Sequence, residues 1–196
     1  MDFHINLVEL TPYIAVIFWA YAYYKLKSNE INTFAFLLGS VGLFTIGIFG
    51  FRDVLQEIMV SIQMWILSLF ENVFYNLDIY YKNSMILIKT QSLVKVIELN
   101  YECSGLIEGL VFSSIILFYP IKSKKTKFIK ILIGNVVIIL ANVLRILLMI
   151  IAAMYFSIET FDMVHLIIGK LLFYGIVIIL YYKVLTMYHI AQYKEG

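Results

Sequence analysis

The chain has 196 residues, 62% of them hydrophobic and 14% charged, and a mean hydropathy of +0.91. An ordinary soluble domain is about 45–50% apolar and about 25% charged, so the solvent for most of this chain is lipid and the composition excludes a soluble globular fold. A net charge of +2 without a basic stripe interleaved with aromatics argues against nucleic acid as a partner, and the single cysteine excludes an internal disulfide.

The opening "MDFHINLVEL" lacks the basic n-region of a cleavable signal, so the first helix is expected to be retained. A membrane span needs roughly 20 apolar residues, and five segments qualify. The first covers residues 12–26, with Thr11 as N-cap and Pro12 at the first helical position. The second covers 31–51. Residues 54–77 are interrupted by Glu57, Gln63 and Glu71, and their uncharged stretch over 58–70 is too short to span. They read as an amphipathic helix lying in the interface or as a re-entrant element, with a true span as the alternative.

Residues 83–102 change period. Ile86 and Ile88 alternate with Leu87 and Lys89, and Val94, Lys95, Val96, Ile97 and Glu98 follow a turn-like "TQS". This predicts a short β-hairpin, which must stand in water because open sheet edges are not tolerated in hydrocarbon. The third span starts at Cys103 and ends near Tyr119, the fourth covers 128–156, and the fifth 164–185. The expected fold is therefore an all-α polytopic membrane protein forming a single integral membrane domain. It has five to six transmembrane helices, a short extracytoplasmic hairpin and an interfacial amphipathic helix. Its parts are a helix pair over 11–53, the interfacial or re-entrant element over 54–80, the hairpin over 83–102, a three-helix core over 103–185 and a cytoplasmic tail over 186–196.

Lysine placement gives the orientation. Lys122, Lys124, Lys125, Lys127 and Lys130 crowd one short loop, which is expected to be cytoplasmic, in agreement with Lys25 and Lys27. The N-terminus and the hairpin are then outside, the C-terminus is inside, and Cys103 lies at the outer end of the third span.

Ionisable groups within spans are candidates for function by default. Glu108, Arg145, His165 and Lys170 are such groups, and with Cys103 all of them fall in the outer half of the membrane. Asn142 and Arg145 are spaced i, i+3 and Asn135 lies seven residues earlier, so a polar stripe on the fourth span faces protein or water rather than lipid. The chemistry these parts could support is acyl transfer. His165 can take the thiol proton of Cys103 and return it to a leaving amine, and a fixed guanidinium can stabilise an oxyanion.

"ECSG" at Cys103, "NVLR" at Asn142 to Arg145 and "HLIIG" at His165 to Gly169 occur in that order on one membrane side, which resembles the exosortase/archaeosortase family. The resemblance covers roughly residues 86–185. It implies a membrane cysteine transpeptidase or protease with Cys103 as nucleophile and Arg145 and His165 completing the triad; Ser104 and Gly105 are the rest of the "CSG" motif. It also implies a bacterial or archaeal cell membrane. The implied substrates are secreted proteins carrying a C-terminal motif, a transmembrane helix and a basic tail, whose new carboxyl end passes to an amine, a lipid or water. Neither a cofactor nor a metal is expected, and no HExxH or GxSG order occurs. The hairpin is expected to cover the site or to hold an extended substrate strand by edge pairing, with residues 89–92 at its tip.

Plainer readings stand beside these. A lone cysteine in an apolar chain is often a small buried hydrophobe. His165 could be an interfacial histidine, and Arg145 a structural cation paired with Glu108. Glu108 and Lys170, at matched depth, are expected to form an ion pair, while His4 and His189 lie in solvated tails. On that basis the chain would be a non-enzymatic assembly factor or transporter subunit; a thioester enzyme acting on lipids is a third reading.

Overall fold

A computed structural model describes residues 7–71, 73–74, 77–80, 84–89, 94–101, 103–121 and 123–186, apart from the side chains of 7–13, 158 and 159. Residues 90–92 of the expected hairpin tip, Lys122, His4 and His189 lie outside the described residues. The elements run α1 (Leu7–Ser28), α2 (Asn32–Gly50), α3 (Arg52–Ser68), β1 (Leu77–Tyr80), β2 (Met85–Lys89), β3 (Val94–Glu98), α4 (Leu106–Phe118), α5 (Lys124–Tyr155) and α6 (Ile158–Met163). A π-helical segment (Val164–Ile168), α7 (Gly169–Tyr181) and a second π segment (Tyr182–Thr186) follow. Among the described residues three helical stretches are long and apolar enough to cross a membrane, Asn32–Gly50, Lys124–Tyr155 and Thr160–Thr186, where the sequence predicts five spans.

The boundaries depart from expectation in four places. α1 begins at Leu7, so Thr11 is not its cap and Pro12 stands within the helix. Leu7, Val8 and Leu10 continue the apolar run upstream. The helix predicted over 54–77 stops at Ser68. The chain then turns, with Phe74 N–H on the Phe70 carbonyl and Leu77 N–H on the Phe74 carbonyl. Residues 77–80 form a third strand rather than part of that helix; four residues are too few for periodicity to reveal. Finally, α4 starts at Leu106, three residues after Cys103, because Gly105 adopts φ +74° and breaks the helical path.

The chain divides into two units, Met1–Arg52 with Leu110–Ile131, and Asp53–Gly109 with Leu132–Gly196. In the first, α2 carries small residues that let aromatics approach its backbone closely. The Trp19 indole donates to the Leu38 carbonyl at 2.8 Å and packs edge-on to Phe118. A side chain at Gly42 would overlap that indole, and one at Gly39 the Phe118 ring.

In the second unit the sheet has the order β1-β2-β3, antiparallel throughout. Ile86, Ile88 and Ile97 point inward and are almost fully buried. They share one apolar core with Met64 and Leu67 of α3 and Met149 and Ile150 of α5. Asp78 and Lys89 pair across β1 and β2 at 2.5 Å. That carboxylate, by its hydrogen bond first and its charge second, holds the Lys89 ammonium above its ordinary value. Both groups are exposed, so the pair adds little stability. α3 buries Val60, Gln63, Met64 and Leu67 on one face, while Ile58, Ile62, Trp65 and Leu69 form a second, exposed apolar stripe.

Candidate active site

Cys103 stands on the turn that joins β3 to α4, partly exposed and with a free thiol. Its N–H donates to the side-chain oxygen of Asn100 at 3.0 Å and to the Asn100 carbonyl at 3.1 Å. The adjacent Ser104 is fully buried, and its hydroxyl is committed to the turn. It donates to the Tyr101 carbonyl at 3.1 Å and accepts the Leu106 N–H at 3.3 Å, serving as a cap for α4. Gly105 completes the turn in the left-handed region, where a side chain would also press on Ile138 Cγ2 at 3.3 Å.

The polar stripe of α5 faces this turn. The Asn142 amide, completely buried, donates to the Cys103 carbonyl at 2.8 Å and to Gln63 Oε1 at 2.9 Å. Gln63, also completely buried, donates from Nε2 to the Ser104 carbonyl at 2.6 Å. Two side chains from two helices thus hold the two successive carbonyls of the Cys103 turn. Two turns earlier on α5, Asn135 lies against Gly109, where a Cβ would stand only 2.8 Å from Asn135 Oδ1. The stripe faces protein, as its spacing predicts.

Arg145 lies one turn beyond Asn142 and is 5% exposed, and its Nε is buried with no hydrogen-bond partner among the described residues. Gly169 makes room for it: a Cβ there would stand 3.1 Å from Arg145 Cγ and 3.0 Å from the Val164 carbonyl. His165 belongs to the π-helical segment, whose wide turn closes where Gly169 N–H donates to the Val164 carbonyl. Such π insertions in a helix occur often at functional sites because they re-aim side chains. The imidazole packs edge-on against Phe161 at a centroid distance of 6.1 Å.

Cys103, Arg145 and His165 line one cavity of about 80 Å³, together with residues 96–99, Ile146, Met149 and Phe161. Three residues 20 to 62 positions apart in the sequence therefore converge on a single space. Lys95 braces its wall. Its ammonium donates to the Ala153 carbonyl at 3.0 Å and the Phe156 carbonyl at 3.5 Å, at the C-terminal end of α5, and stands 5.2 Å above the Phe161 ring. A cation at a helix C-terminus meets the negative end of the helix dipole.

The expected Glu108–Lys170 ion pair is not formed among the described residues. Lys170 is exposed, and Glu108 instead interacts with the Tyr174 phenol, one turn further along α7. Lys170 and Tyr174 are spaced i, i+4 and share a face of α7, so Glu108 meets that face one turn beyond the level that matched depth predicts. Nor does Arg145 pair with Glu108 among the described residues. Sequence reasoning missed Gln63 and Lys95. An uncharged polar residue inside the apolar run over 58–70 was the available signal for Gln63; Lys95, in an exposed-looking strand, offered none.

The sequence model described as transmembrane exosortase (Exosortase_EpsH) matches residues 4–182, most of the chain. No curated protein and no solved structure matches it.

Proposed function

The chain belongs to the transmembrane exosortase family and is a multi-pass membrane protein, and from that premise we propose that it is a cysteine transpeptidase or protease of exported proteins. The observation that carries this reading is the single cavity shared by Cys103, Arg145 and His165. His165 accepts the thiol proton of Cys103. The thiolate sulfur adds to the carbonyl carbon of the scissile peptide, and the guanidinium of Arg145, whose Nε has no hydrogen-bond partner among the described residues, stabilises the oxyanion. Collapse breaks the C–N bond, the imidazolium returns its proton to the departing amine, and a thioester remains on Cys103. An amine, a lipid hydroxyl or water then attacks that thioester and frees the thiol. A thiol with no cation near it is only slightly ionised at neutral pH, which is why a base and a cation lining the same cavity matter.

The substrates in this reading are secreted proteins with a C-terminal motif, a transmembrane helix and a basic tail. The site opens on the extracytoplasmic side. Support for that side comes from Lys124, Lys125, Lys127 and Lys130 at the start of α5, which belong in the cytoplasm and put the opposite end of the helix outside.

The test is co-expression of the wild type or Cys103→Ala with a neighbouring-gene protein bearing such a tail, followed by intact-mass measurement of that protein. Removal of the tail only by the wild type is the expected result, and the new C-terminal mass identifies the acceptor. Equal processing by both forms, with both inserted in the membrane, would overturn the reading.

A further inference from the structure

β3 is the edge strand of the sheet, paired with β2 on one side only. Which of its backbone groups face the open side follows from the ladder. Leu99 N–H donates to the Ser84 carbonyl at 2.9 Å, one register step beyond the Met85–Glu98 pair. In an antiparallel ladder, residues that exchange bonds with the partner strand alternate with residues that do not. Lys95, Ile97 and Leu99 therefore bond toward β2, and the N–H and C=O groups of Val94, Val96 and Glu98 point to the free edge. The cavity that holds Cys103, Arg145 and His165 is lined by 96, 97, 98 and 99 in succession. Side chains alternate across a strand, so a space that meets four consecutive residues runs along the strand's edge rather than over one face.

We propose that the free edge of β3 is a substrate subsite: the extended segment next to the scissile bond adds to the sheet as a further strand, its backbone bonding to the outward N–H and C=O groups of Val96 and Glu98. This inference rests on the reading of Cys103 as the nucleophile and deepens it by assigning how the peptide is presented. A peptide chain is the occupant because an edge offers alternating donors and acceptors at the spacing of another extended backbone, which a lipid headgroup or folded protein surface does not match. The edge is also held in place. Lys95 ties β3 to the end of the helix that carries Arg145. The cavity admits about one peptide group, since a water alone occupies about 30 Å³ of liquid, so it suits the scissile unit of a strand that continues outward along β3.

Pairing through main-chain groups is independent of side-chain sequence, which allows a test without the natural sorting motif. The detergent-solubilised full chain is treated with N-acetyl-tetra-alanyl chloromethyl ketone and with siblings each carrying one N-methyl amide. The alkylation rate at Cys103 is read by intact mass and divided by each probe's rate with glutathione. N-methylation at alternate positions is expected to slow the reaction by about five- to tenfold per lost hydrogen bond, with the intervening positions unaffected. Val96→Pro removes an outward donor and spares the β2 ladder, a position where an edge strand accepts proline. It is expected to bring the unmodified probe down to the slow rate while iodoacetamide reacts as before. Identical rates for all siblings on the wild type would overturn the subsite, whether or not the proline variant folds. A flat series with Cys103-dependent tail removal intact would overturn the edge alone, whereas tail removal that ignores Cys103→Ala would overturn the catalytic reading and the edge with it.

Discussion

The side-chain amide of Asn142 donates to the backbone carbonyl of Cys103 at 2.8 Å, a contact between residues 39 positions apart. The same amide donates to Gln63, which in turn donates to the carbonyl of Ser104. Asn142, Gln63 and Ser104 are completely buried, so losing either donor leaves an acceptor in the interior unsatisfied. We expect Asn142→Leu and Gln63→Leu each to destabilise by about 1–3 kcal/mol. Because they share one network, the double variant should fall short of their sum by about 0.5–3 kcal/mol. Denaturant unfolding in a defined micelle measures all three, and strict additivity would show that the two side chains act separately.

Gly169 decides how closely the π-helical segment approaches Arg145. In Gly169→Ala the new methyl group meets Arg145 Cγ at 3.1 Å and must displace it. A shift of a few tenths of an ångström suffices, and since about 1 Å of misplacement can lower a rate by about a hundredfold, it should lower the rate by about two- to fivefold. Alanine's better helix propensity, about 1 kcal/mol, offsets the strain. The expected result is tail removal reduced by about two- to fivefold with thermal stability shifted by less than about 1 kcal/mol. An unaltered rate would remove Arg145 from the chemistry.

Gly105 holds the Cys103 turn at φ +74°. An L side chain there carries a strain of about 1–2 kcal/mol, and the 3.3 Å approach to Ile138 adds to it. Gly105→Ala should therefore destabilise by at least that amount and change the rate at which iodoacetamide modifies Cys103. Unchanged stability and unchanged thiol reactivity together would mean that the turn relaxes without glycine.

Lys95 joins the sheet to the end of α5. Lys95→Met removes two bonds to carbonyls and the favourable charge at a helix C-terminus, for an expected loss of about 1–2 kcal/mol. Amide exchange over 152–157 should accelerate, and Lys95→Arg should restore much of the protection. Exchange unaffected in the methionine variant would sink the brace.

Glu108 has Tyr174 rather than Lys170 as its partner. We expect Glu108→Gln and Lys170→Met to add within about 0.5 kcal/mol, whereas Glu108→Gln and Tyr174→Phe should couple. Coupling of Glu108 with Lys170 in unfolding measurements would restore the ion pair that matched depth suggests.

Some of this architecture is written in local pattern. An apolar fraction of 62% requires lipid as solvent, because that much surface has no other place to go. Period-two alternation marks β2 and β3, since it is a property of the strand alone. The i, i+3 spacing of Asn142 and Arg145 puts both on the inward face of α5. Other features belong to the tertiary structure. β1 is a strand because β2 lies beside it; the position of α7 along its own axis sets Tyr174 rather than Lys170 beside Glu108; Gln63 becomes a buried donor only when α3 packs beneath the Cys103 turn. The meeting of Cys103, Arg145 and His165 at one cavity is of that kind too. Periodicity tells which side of an element turns inward, but a contact between elements depends on their crossing and rotation, which packing settles across intervals of 20 to 79 residues.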